Sequence, residues 1–168
     1  MKAGDALSDP HVIVDGDSIT EDLTLTYDSG TLSYNTPVAI FQGTLSGTGA
    51  NGRVELRSDF TRINGLVTFD IRDTEGQNSA VDARRGKIEG SGRVINEGNF
   101  HLVGSEIVLE GSEPPLGDPA VRPFTNVGNF FWDRGAVGSD FENASAQTAG
   151  NIPTMFIRTV ADKLLENG

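Results

Sequence analysis

Asp15-Gly16-Asp17, with Glu21 and Asp22 close behind, is the densest local group of oxygen ligands in the chain. Calcium takes several such oxygens, so Asp15 and Asp17 are the metal candidates. The stretch lacks the spacing of a complete calcium loop, and Asp-Gly pairs also make ordinary turns. No other cofactor is indicated. His11 and His101 lie far apart in sequence and show no ligand spacing. Carboxylates are abundant, 24 against 13 basic residues, so their presence alone does not point to glycosidase or lyase chemistry. There is no serine-centred elbow, phosphate-binding loop or metal-hydrolase helix motif. Cysteine is absent, which excludes disulfides, thiolate zinc sites and cysteine nucleophiles. The expectation is a chain that is not an enzyme.

A net charge of −11 opposes binding to nucleic acid, which needs a basic face, and opposes anionic membranes. No apolar run approaches the length of a membrane span, so membrane insertion is not expected. The N-terminal residues lack the apolar core of a signal peptide. That leaves a cytosolic protein or an excised or mature piece of an exported one. Asn143-Ala-Ser145 matches a glycosylation sequon, a short pattern that recurs by chance.

Positioning elements come from the spacing of apolar residues. Twenty-one glycines in 168 residues favour many turns between short strands over helices. Leu23, Leu25 and Tyr27 alternate with threonines, as do Leu32 and Tyr34 with polar neighbours. Arg53-Val-Glu-Leu-Arg57 puts Val54 and Leu56 inward, and Val67, Phe69 and Ile71 share one face. Asp73 to Arg85 is polar and reads as a loop leaving the body. Ser112 to Pro123 holds four of the seven prolines and reads as an ordered outer loop. From Pro153 onward, Phe156, Val160 and Leu164 fall at helical spacing, predicting one C-terminal helix over residues 153–168.

One pattern organises the rest. Asn96-Glu-Gly-Asn-Phe100 recurs as Asn126-Val-Gly-Asn-Phe130, a separation of 126 − 96 = 30 residues. Repetition at a fixed period marks stacked turns, with Phe100 over Phe130 and asparagine over asparagine. Strand alternation then directs His101 and Phe131 outward, side by side in adjacent turns, as a partner-contact surface. Phe130 and Trp132 are assigned to the core.

The stretches "GSGRVINEGNFHLVG" and "FTNVGNFFW" resemble the repeats of bacterial surface and secreted β-solenoids of the filamentous-haemagglutinin and autotransporter-passenger type. "GRVELRSDFTRINGLVTFDI" is similar to strand pairs in transferrin-binding-protein-like lipoprotein barrels. The first resemblance implies an all-β, parallel β-solenoid of a few irregular rungs over residues 1–152, capped by the helix at 153–168. The cap itself follows from the apolar stripe of Phe156, Val160 and Leu164, which would cover the open end of the stack. The resemblance implies an extracellular or cell-surface structural, assembly or adhesion module. Its partners would be other protein subunits, including copies of itself, or a surface glycan. The alternatives are a polysaccharide-acting β-helix domain, or an antiparallel barrel or sandwich that binds a host protein.

Overall fold

The computed structural model describes residues 6–7, 11–14, 16–27, 30–49, 51–72, 79–110, 123–138, 141–143 and 154–157. In chain order the strands are β1 (Ala6–Leu7), β2 (His11–Val14), β3 (Ser18–Tyr27), β4 (Gly30–Tyr34), β5 (Val38–Thr48) and β6 (Gly52–Leu56). They continue with β7 (Phe60–Arg72), β8 (Ala80–Ala83), β9 (Lys87–Gly90), β10 (Arg93–Asn96), β11 (Asn99–Leu102) and β12 (Glu106–Leu109). The last are β13 (Phe124–Asn126), β14 (Asn129–Trp132), β15 (Ala136–Val137), β16 (Phe141–Asn143) and β17 (Thr154–Ile157). Among the described residues there is no helix.

All pairings between described strands are parallel, which overturns the antiparallel barrel or sandwich alternative. A hairpin needs a short turn that reverses the chain, and the Asn/Gly corners here let it continue onward instead. One open sheet runs β2-β4-β6-β8-β11-β14-β17. The second follows β1-β3-β5-β7-β10-β13-β16, with β9, β12 and β15 as a side branch. The branch exists because β7 serves two partners: Phe60–Arg62 pair with β9, and Leu66–Phe69 pair with β10. Each long strand of the early turns therefore becomes two short ones later.

The bend within the long strands falls at one stacked position. Register shifts occur between Glu21 and Leu23 and between Phe41 and Gly43. Asp22, Gly43 and Gly65 adopt φ of 36°, 72° and 68° there. The Asp22 carboxylate accepts the Thr44 N–H at 2.9 Å, clamping one corner onto the next. A side chain at Gly43 would strike that carboxylate as well as adopt an unfavourable φ.

Successive partners in the first sheet are His11–Thr31, Thr31–Arg53, Arg53–Ala80, Val81–Phe100 and Phe100–Phe130. These separations are 20, 22, 27, 19 and 30 residues. The thirty-residue period is thus one turn, but a long one. The extra length falls at residues 111–122, and that of the preceding long turn at 73–78, both outside the described residues.

The repeated pentapeptides stack as their sequence predicts. Phe100 and Phe130 are both 0% exposed, with ring centroids 5.6 Å apart and planes 5° from parallel. They extend an aromatic column through Phe69, Phe41 and Tyr34, with Phe124 edge-on to both. Asn96 Nδ2 donates to Asn126 Oδ1 at 2.7 Å, and Asn129 Nδ2 donates to Asn99 Oδ1 at 2.9 Å. Gly128 lies so close over Gly98 that a Cβ would come within 3.0 Å of its backbone, which explains the glycine in the motif. Trp132 packs against this core from its margin.

Two segments differ from expectation. Ala80–Ala83, read as part of a polar loop, is a buried strand whose Val81 and Ala83 join the core. Its one charged residue, Asp82, hid the alternation. Thr154–Ile157, read as the start of a helix, is a strand parallel to β14. The run Thr-Met-Phe-Ile is rich in aromatic and β-branched residues, and β14 offers it an open ladder. Residues 158–168 lie outside the described residues, as does the proline-rich stretch up to Arg122.

Candidate binding faces

Alternation and parallel register place outward residues of successive turns in columns. On the first sheet one column runs Ile13, Ser33, Glu55, Asp82, His101, Phe131. Backbone hydrogen bonds carry a flanking column through Asn35, Arg57, Arg84, Val103 and Asp133. Arg53 stands on the other side of Glu55, two residues earlier on β6.

The acids in this face are covered. The side chains of Glu55 and Asp82 are 10% and 2% exposed, under arginines that are 31–45% exposed. Arg57 Nε donates to Glu55 Oε2 at 2.6 Å, and Ser33 Oγ donates to the same oxygen at 3.0 Å. Arg84 Nε lies 2.7 Å from Glu55 Oε1, while its terminal nitrogen donates to Asp82 Oδ2 at 2.8 Å. Arg53 donates to Asp82 Oδ1 at 2.9 Å, and His101 Nδ1 lies 3.5 Å from that oxygen. Burial pushes the Glu55 carboxyl up, but bonds from Arg57 and Ser33 and the nearby Arg84 charge outweigh it and hold it below its ordinary value. The same bond to Glu55 raises Arg57 further.

His101 and Phe131 do sit side by side, with ring centroids 4.4 Å apart. Their exposure is the correction: Phe131 is 2% exposed and the His101 side chain 13%. Outward direction on a strand does not guarantee contact with water, and these two rings cover one another. Asp17 is exposed, whereas Asp15 lies outside the described residues. Among the described residues no three potential metal-ligating side chains converge.

The second face escaped the sequence reading. On its outer side the register aligns Val38, Phe60, Lys87 and Glu106 in one column and Ile19, Ile40, Arg62, Glu89 and Val108 in the next. Arg62 pairs with Glu89 at 3.4 Å and Lys87 with Glu106 at 3.8 Å, with all four side chains 30–52% exposed. An open depression of about 410 Å³ lies among Arg62, Asn64, Lys87, Glu89, Ser91 and Glu110. Phe60, next to Lys87 in register, is 42% exposed, and Ile19, two turns before Arg62 in its column, is 56% exposed. Alternation within Phe60–Asn64 was the available signal, but only the register shows which turns stand next to one another.

No family model matches the chain, and neither a curated protein nor a solved structure matches it.

Proposed function

We propose that this chain is a segment of a parallel β-solenoid acting as a non-enzymatic structural, assembly or adhesion module at the cell surface or outside the cell. The observation that carries the reading is the unbroken parallel register from β2 to β17, in which each turn pairs only with its neighbours. Such a stack presents long, regular side faces and suits a scaffold better than a closed catalytic pocket. The paired acids on the first face favour the same reading. General acid catalysis needs a carboxyl that can hold and deliver a proton to a substrate. Glu55 is held low and Asp82 is almost fully covered, both by guanidinium groups. Structural ion pairing accounts for them.

Small-angle scattering and a turnover assay test this together. An elongated particle that releases no new reducing ends or unsaturated sugars from a polysaccharide panel is expected. A compact particle would sink the solenoid reading, and measurable turnover abolished by Asp82→Asn would sink the non-enzymatic one.

A further inference from the structure

The outer side of the second face combines three properties: an exposed aromatic ring, a depression, and balanced charge. Phe60 is 42% exposed and neighbours Lys87 in register. Arg62 and Lys87 offset Glu89 and Glu110 around the depression, so it carries no net charge of its own. Asn64 and Ser91 add uncharged donors and acceptors. Arg62 donates to Glu89 in a half-exposed pair, which contributes little to stability and opens at low cost.

Each property narrows the ligand. Donors and acceptors packed at the spacing of adjacent turns, roughly 4.8 Å, suit a molecule with closely spaced hydroxyl groups. An exposed aromatic ring at the edge gives such a molecule an apolar surface to lie on. Charge then decides between neutral and acidic glycans. The chain as a whole carries −11, and this depression has no positive excess to offset it. Polyanions are disfavoured here and neutral polymers are not.

We infer that the face formed by Phe60, Arg62, Asn64, Lys87, Glu89 and Glu110 binds a neutral polysaccharide, laid across successive turns with one sugar ring on Phe60. This rests on the adhesion reading above and gives it a ligand class and a site.

Affinity electrophoresis of the full chain tests it, in gels containing mixed-linkage β-glucan, galactomannan or dextran, with polygalacturonate as the acidic contrast. Retardation is expected in at least one neutral gel and not in the acidic one. Phe60→Ala and Arg62→Ala should each weaken the retarding interaction by about tenfold or more. Ile13→Ser, on the opposite face, should leave it unchanged. Thermal melting of each variant confirms folding, and Asn64→Ala replaces any variant that fails to fold. The proposal is overturned by three outcomes: no retardation in any neutral gel, retardation in polygalacturonate alone, or retardation untouched by the substitutions at this face. It is equally overturned if Phe60→Ala instead abolishes self-association, which would make the face a contact between copies. Sugar release in a gel would contradict the non-enzymatic reading while leaving the site in place. A compact scattering particle that still binds would do the same to the solenoid reading.

Discussion

The two outer faces carry similar residues and put them to opposite uses. On the first, Glu55 and Asp82 lie under Arg53, Arg57 and Arg84, with their side chains 10% and 2% exposed. On the second, Arg62, Glu89, Lys87 and Glu106 pair across turns at comparable spacing but stay 30–52% exposed. Identity and register do not separate the faces; water does. Carboxylates stripped of water must keep their partners, so the first face is locked into the fold. Charges still hydrated can exchange partners with little loss, so the second face is available to a ligand.

The first face depends most on Arg84, which touches both covered acids. Arg84→Ala should destabilise the protein by about 3 kcal/mol, because it leaves two covered carboxylates short of charge. Urea denaturation reads this directly, and a loss close to zero would mean that the acids are solvated after all. A neutral buried group sharpens the point. Asn96→Ala removes hydrogen bonds donated to the Asn126 side-chain oxygen and the Asn129 backbone carbonyl and should cost roughly 1–3 kcal/mol, less than the charged lesion.

Acid titration gives a further contrast. Glu55 is held below its ordinary 4.5, so its contribution to stability is complete above that pH and is lost as pH falls through the lowered folded value. Glu55→Gln should flatten this part of the stability–pH curve below about pH 4.5 and leave its shape above pH 6 unchanged. Unfolding midpoints measured from pH 7 down to pH 3 check the sign. The smallest effect belongs to the second face, where Arg62→Ala should change stability by no more than about 0.5 kcal/mol.

The core was legible in the sequence, and so was much of the stacking. Alternation in Arg53–Arg57 and Leu66–Ile71 put Val54, Leu56, Val67, Phe69 and Ile71 inward, where all five are at most 1% exposed. The twin pentapeptides gave the Phe100–Phe130 stack and the asparagine ladder because both copies fall in turns with short, similar corners. Earlier turns lack the motif. There the positions in register with Asn96 and Asn126 are Leu23, Leu45 and Phe69, inside long strands, and nothing in their spelling matches Asn-x-Gly-Asn-Phe. Ala80–Ala83 escaped because alanine is only weakly apolar and Asp82 is charged, although arginines neutralise it in the fold. Thr154–Ile157 escaped because the three-to-four spacing of Phe156, Val160 and Leu164 extends the expected helix back to Pro153. The candidate site was the least legible part. Phe60, Lys87 and Glu106 are brought together only by register, across turns of unequal length.

A pair of double-mutant cycles tests the contrast between the faces most directly, one through Arg84 and Asp82, the other through Arg62 and Glu89, both at pH 7 and moderate salt. A coupling energy of about 1.5 kcal/mol or more is expected for the covered pair and about 0.3 kcal/mol for the exposed one. Equal couplings, or a larger value on the second face, would contradict it.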